Sequence, residues 1–205
     1  MKNMNILKNI ALFFTVALFL TSCVETVVVG SVATNIIATR EKSIKDTGKD
    51  TWIAAKIDKD ILANVMVMPK NSVKVMVNEG RVLLVGRITD LEKGKKIYEI
   101  AWNTKGVVEV IDEIQINQEK VRVRDFSTPF TDSYLTTRIK AKLFWNQDVT
   151  GADFKICSSY GNVYVFGVAK NEAEMSEALR VVSNVTGVKK VINHAILNED
   201  SRRRS

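Results

Sequence analysis

"VKVMVNEGRVLLVGRI", Val73 to Ile88, and "FKICSSYGNVYVFGVA", Phe154 to Ala169, are two copies of one pattern. In each, apolar residues alternate, a glycine interrupts, and alternation resumes up to a second glycine. Val73-Val75-Val77 and Phe154-Ile156 read as a first strand, because strand side chains point to opposite faces in turn. Gly80 or Gly161 marks the turn, and Val82-Leu84 or Val163-Val165 form a second strand ending at Gly86 or Gly167.

The repetition extends outward on both sides. "DTWIAAKIDKDIL" from Asp50 aligns with "DSYLTTRIKAKLF" from Asp132, and "NTKGVVEVIDEIQI" from Asn103 with "NVTGVKKVINHAIL" from Asn184. The three matches are collinear at nearly constant offset, so the chain holds two tandem modules, 48–117 and 130–198. Ile53, Ile57 and Ile61, and likewise Leu135, Ile139 and Leu143, recur every four residues, the period of a helix face. Asp50 and Asp132 stand where N-caps belong. A second helix opens at Thr89 or Asp90 and at Asn171, with Glu92 and Glu174 at capping-box spacing. Its core positions are Ile97, Ile100 and Ala101 in one copy and Ala178, Val181 and Val182 in the other. Gly106 and Gly187 take the place of a C′ residue, before final strands Val107–Ile116 and Val188–Leu197. The expected fold is α+β: two small two-layer α-β-β-α-β domains, each with two helices on one face of a three-stranded mixed sheet.

The glycine-valine pattern resembles that of the BON domain. It is carried twice, by Gly80, Val82, Leu84, Gly86, Gly106, Val107 and Val110, and by Gly161, Val163, Val165, Gly167, Gly187, Val188 and Val191. "TWIAAKI" and "SYLTTRI" look like the family's first helix.

The N-terminal residues 1–22 have the layout of an export signal. Lys2 and Lys8 precede the apolar run Ile10 to Leu20, too short for a comfortable membrane span. "LTSC", Leu20 to Cys23, resembles the lipobox of bacterial lipoproteins. That resemblance implies cleavage before Cys23, diacylglycerol on its sulfur and an acyl chain on its new amino group. An ordinary signal peptide with a chance cysteine is the competing reading. Val24 is not the aspartate that retains lipoproteins in the inner membrane, which points to lipid anchoring in the outer membrane, facing the periplasm. Residues 23–47 are expected to form a lipidated tether, whose Val27 to Ala38 could instead pack on the body. Residues 118–129 read as a linker that includes Lys120 to Arg124, and 199–205 as a basic tail, solvated or touching anionic lipid.

The chain of 205 residues carries a formal net charge of +7 and is 46% hydrophobic. The excess of base suits an anionic partner, and export removes nucleic acid from the candidates. Cys23 and Cys157 are the only cysteines and His194 the only histidine. A disulfide framework and a Cys/His metal cluster are therefore not expected. Cys157 reads as a buried thiol and His194, aligned with Glu113, as a polar edge residue. No nucleophile–base pair, paired carboxylates or phosphate-cradling glycine loop stands out, so neither a catalytic site nor a cofactor beyond the acyl chains is expected.

Two copies behind a lipobox resemble the dual-BON-domain outer-membrane lipoproteins. The resemblance implies a non-enzymatic protein that binds anionic phospholipid and supports envelope integrity, with a role at division sites. It places the lipid contact on the first helix of the second module. There Tyr134, Arg138, Lys142 and Trp145 fall on one stripe beside the core positions. Tyr and Trp have the amphipathic rings of the headgroup level, and Arg and Lys can reach phosphates. The same side chains would also make an ordinary solvated face over partly buried aromatics. Trp52 and Lys56 of the first module compete as secondary candidates, weakened by Asp58 and Asp60. The alternative function is an envelope scaffold whose domains bind a protein partner.

Overall fold

A computed structural model describes residues 37–65, 73–116, 129–149 and 154–204. The leader, Cys23 and the Lys120–Arg124 stretch lie outside the described residues. Module one consists of α1 (Ile37–Val65), β1 (Val73–Asn78), β2 (Arg81–Ile88), α2 (Leu91–Trp102) and β3 (Glu109–Ile116). Module two repeats it as α3 (Pro129–Phe144), β4 (Phe154–Ser159), β5 (Asn162–Ala169), α4 (Glu172–Ser183) and β6 (Lys190–Leu197), followed by a 3₁₀ turn at Ser201–Arg204. In each sheet the second strand is central, antiparallel to the first and parallel to the third.

The helices cover one face of each sheet. Ile53, Ile57 and Ile61 pack with Ile97 and Ala101 on Val77, Val82 and Leu84, and Leu135, Ile139 and Leu143 pack likewise on Ile156, Val163 and Val165. β2 and β5 run through Gly86 and Gly167 to Ile88 and Ala169, two residues past the expected stop. The final strands start two residues later than expected, at Glu109 and Lys190. Gly106 and Gly187 do have positive φ, but they follow the caps; the C-caps are Asn103 and Asn184. Each of those asparagines donates its side-chain amide to the carbonyl four residues back, which satisfies a helix-end acceptor without glycine.

Asp50 and Asp132 are not N-caps. α1 begins at Ile37, inside the stretch read as tether, and α3 begins at Pro129. Both aspartates are buried and turn inward to the β-hairpins. Asp50 accepts from the N–H groups of Glu79 (2.8 Å) and Gly80 (3.0 Å), and Asp132 from those of Tyr160 (2.7 Å) and Gly161 (3.0 Å). Glu79-Gly80 and Tyr160-Gly161 are two-residue loops with positive φ at both positions, the condition of a type I′ turn. Asn-Gly is the usual sequence for it. Here a bulkier first residue is held left-handed by a carboxylate delivered from the helix. Of the expected capping boxes, module two shows a variant: Asn171 accepts from the Glu174 N–H, while Glu174 accepts from the N–H of Lys170, one residue before the cap. In module one Asp90 is the cap instead of Thr89.

The uncovered sheet faces are buried against each other. Leu83 and Val85 of β2 form one cluster with Cys157, Tyr164 and Phe166, joined by Met76, Ile111 and Ile192. Both modules belong to one compact unit, Arg40–Ser205, with layers in the order helices, sheet, sheet, helices. The contact is close to two-fold. Lys74 Nζ donates to the Ser158 carbonyl (2.7 Å), and its equivalent Lys155 donates to the Val77 carbonyl, the equivalent position. Such reciprocity is what an isologous dimer interface shows. His194 lies on the edge strand β6 as read, but it is partly buried and faces the other module. Its Nε2 lies 2.8 Å from Glu113, its counterpart in the other module. Buried Arg81 donates to the His194 carbonyl and lies 5.1 Å from the Phe166 ring centre, and Arg87 stacks 3.8 Å over Tyr160. The C-terminal residues are not a free basic tail either. Arg203 forks onto Glu79 of module one (2.6 and 2.8 Å), and Arg202 pairs with Asp200 and reaches Glu109.

Candidate functional site

With both sheet faces consumed, helices form the two broad outer faces. On α3, inward Asp132 and Leu135, Ile139 and Leu143 fix the rotation of the helix. What remains outward is the stripe expected from spacing. Tyr134 is 57% exposed and Trp145 80% exposed. Arg138 is half-buried, its guanidinium 5.6 Å from the Tyr134 ring centre, and Lys142 and Lys140 are exposed. The reading of Tyr134 and Trp145 as partly buried packing residues does not hold, because both stand in solvent.

Phe144 belongs to the same surface and was not anticipated. It is 72% exposed and meets Trp145 edge-on at 5.3 Å. Four-residue counting from Tyr134 skips it, although an aromatic pair closing an amphipathic helix was visible in "LFW", Leu143 to Trp145. A side chain of this size stabilises by about 1.5–3 kcal/mol when it moves from water into an apolar medium. Two lysines and an arginine beside such a pair can contribute about 1 kcal/mol each near an anionic surface.

The matching face of α1 differs. Trp52 is 53% exposed, but Lys56 is paired with Asp60, so its charge is spent within the helix. Where α3 has Phe144 and Trp145, α1 has exposed Leu62 and Ala63. Burial raises the pKa of Asp58, which adds an acidic group costly to desolvate further. Trp52, Lys56, Asp60, Glu99 and Lys105 line a groove of about 440 Å³ between α1 and α2. Its amides and hydroxyl, those of Asn64, Asn103 and Thr104, already bond helix carbonyls.

Among the described residues no group of three or more His, Cys, Asp or Glu side chains could hold a metal ion, and no helix is long and apolar enough to cross a membrane. Cys157 is buried between the sheets; burial pushes its thiol up, with Lys74 opposing.

Three curated proteins resemble the chain along much of its length. It is 27% identical over 186 residues to "Outer membrane lipoprotein DolP" of Haemophilus influenzae, covering 91% of this chain and 94% of that one. It is 30% identical over 155 residues to "Uncharacterized protein in gshII 5′region" of Anaplasma centrale, 76% of this chain and 99% of the other. It is 29% identical over 143 residues to "21 kDa hemolysin" of Actinobacillus pleuropneumoniae, covering 70% and 71%. The family model of the BON domain matches residues 49–118 and 131–199, which are the two modules built above. The chain therefore belongs to the BON-domain family, with two copies of the domain in tandem.

Proposed function

We propose that this is a non-catalytic lipoprotein of the cell envelope, anchored in the outer membrane through acylated Cys23 and facing the periplasm. Its second module reads anionic phospholipid through Tyr134, Arg138, Lys142 and Trp145, and it supports envelope integrity, including at division sites. The observation that carries the reading is the exposed aromatic end of α3 next to its basic side chains. Similarity to an outer-membrane lipoprotein supports the compartment and the anchor. The two contacts act together. Acyl chains on one cysteine hold the protein at the bilayer, and tethering then raises the effective concentration at which a weak headgroup contact operates.

Two experiments test this. A soluble Cys23→Ser chain should sediment with phosphatidylglycerol or cardiolipin vesicles and less so as salt rises, since screening weakens exposed charge pairs. Tyr134→Ala with Arg138→Glu should abolish sedimentation while far-UV circular dichroism is unchanged, and Phe144→Ala with Trp145→Ala should weaken it strongly. Undiminished binding by both variants refutes the site. For the anchor, full-length protein fed a radiolabelled fatty acid should incorporate label that Cys23→Ser loses.

A further inference from the structure

Being copies of one fold, the modules serve as each other's control. On α2 of module one Leu91, Lys95, Tyr98 and Trp102 recur at intervals of four, three and four, a single helix stripe. Leu91 is 44% exposed, Trp102 54% exposed, and Tyr98 is exposed between them. Module two places Glu172, Ser176, Leu179 and Ser183 at these positions, and its Leu179 packs onto its own core. The fold thus does not require apolar residues along this stripe. Large exposed apolar residues grouped in this way mark interaction surfaces.

Beside the stripe runs a groove of about 290 Å³ between α2 and the edge strand β3, lined by Leu91, Gly94, Tyr98, Asp112, Ile114 and Ile116. Gly94 lines it with backbone only, and a Cβ there would meet the Ile88 side chain at 2.8 Å; module two reverses the pair, with Ala169 and Met175, whose side chain lies against the core and meets the amide of Asn193. The charges at the rim select the occupant. Lys95 and Glu99 also line the groove, and each is paired along α2, with Glu92 and Lys96. Asp112 has no ion-pair partner among the described residues; its carboxylate only accepts the Ile114 N–H. A rim with two carboxylates, one of them open, against a single paired lysine is poorly matched to an anionic bilayer. The layer order also puts α2 on the outer face opposite α3, so a membrane on one leaves the other free.

We infer that the Leu91–Tyr98–Trp102 stripe and the groove beside it dock an amphipathic helix of a protein partner, apolar at i, i+4 and i+7, with a basic side chain set against Asp112. The mode is a helix laid into an apolar groove, anchored once per turn. This surface is independent of the phospholipid reading, since it lies on the other module and the opposite face.

The test uses the Cys23→Ser chain and two synthetic amidated peptides of about four helical turns, leucine along one face, with lysine on the other face in one and glutamate in its twin. The lysine peptide should bind and shift the amide resonances of Gly94, Tyr98 and Ile116, and the glutamate twin should bind at least about tenfold more weakly. Leu91→Glu with Trp102→Ser, the residues module two uses, should cost at least about tenfold in affinity. Asp112→Asn should weaken only the lysine peptide; Asn193 shows that asparagine preserves the local backbone bond, so this variant decides the matter if the double variant melts early. Vesicle binding should be unaffected by either. Equal binding of the twins, peptide shifts mapping to α3, or wild-type affinity in the variants would overturn the inference. So would a chain dimer, or vesicle binding, that Leu91→Glu with Trp102→Ser abolishes.

Discussion

Substituting Asp132 separates two physical roles that the sequence does not distinguish. Were Asp132 an N-cap, asparagine would replace it at almost no cost, because Asn and Asp cap about equally well, and alanine would cost about 1 kcal/mol. In the structure its two carboxylate oxygens instead take the Tyr160 and Gly161 N–H groups, the latter bond buried. Alanine removes both acceptors. Hydrogen bonds to charged groups contribute about 1.5–3 kcal/mol each, and a buried orphan donor costs about 1–3 kcal/mol. Water can reach the Tyr160 N–H more easily than the Gly161 N–H, so the expected loss is about 2–4 kcal/mol. Asparagine keeps one oxygen but sets an NH₂ against the second donor, so Asp132→Asn should cost about half as much. The assay is urea unfolding of the Cys23→Ser chain by circular dichroism, with Asp90→Ala, a true N-cap change, as the reference at about 1 kcal/mol. A neutral Asp132→Asn, or an Asp132→Ala no worse than Asp90→Ala, refutes the turn-clamp account.

Two further outcomes follow from the same geometry. In the Cys23→Ser chain Cys157 is the sole thiol; buried between the sheets and pushed up by desolvation, it should react with Ellman's reagent far more slowly than in urea. Lys74→Ala with Lys155→Ala, which removes the two reciprocal lysine bridges between modules, should speed that reaction without unfolding either module; an unchanged rate would deny those lysines a role in docking. Glu177 is held at about 2 by hydrogen bonds from Arg180 and Asn146, against an ordinary value of 4.5. Its folded value lies below the unfolded one, so its stabilisation is complete above the ordinary value and lost as pH falls towards about 2. Glu177→Gln should therefore flatten the acid limb of stability in that window, and an identical slope in wild type and variant would contradict it.

The fold within each module was legible because burial on one face leaves a period. Ile53-Ile57-Ile61 and Val73-Val75-Val77 carry it directly, and the second copy confirms each reading. The rest was hidden for definite reasons. An aspartate just before a helical pattern looks the same whether it bonds the helix or a turn brought near by folding; only tertiary structure supplies the Glu79 and Tyr160 hairpins. The docking of the modules left a trace that alternation does not isolate. Leu83, Val85, Tyr164 and Phe166 make β2 and β5 apolar on both faces, as strands buried on both sides are. At the candidate site the stripe was legible and Phe144 was not. Its outward direction follows from its place one residue past core Leu143 and four past exposed Lys140, which counting from Tyr134 alone misses.

The layer order also explains where two copies of one domain are able to diverge. The sheet faces are locked twice over, by the helices on one side and by the sister sheet on the other. A change at Leu83 or Phe166 disturbs packing in a cluster shared by both modules, and removing a large side chain from such a core costs about 2–5 kcal/mol. Outward helix positions carry no such penalty. The copies differ inside the shared cluster too, with Leu83 and Val85 against Tyr164 and Phe166, but there one bulky core side chain replaces another. At the outward positions the chemistry itself changes: Lys142 and Trp145 against Asp60 and Ala63 on the first helices, Glu172 and Ser183 against Leu91 and Trp102 on the second. One module has concentrated aromatics and unspent base on its first helix, the other apolar residues and an open carboxylate along its second. Because the sandwich turns those helices to opposite outer faces, a double variant such as Tyr134→Ala with Leu91→Glu should show additive losses in vesicle and peptide binding. Surfaces that share no residues have no physical route to coupling except the sheets between them, and those are too tightly packed to rearrange for either ligand.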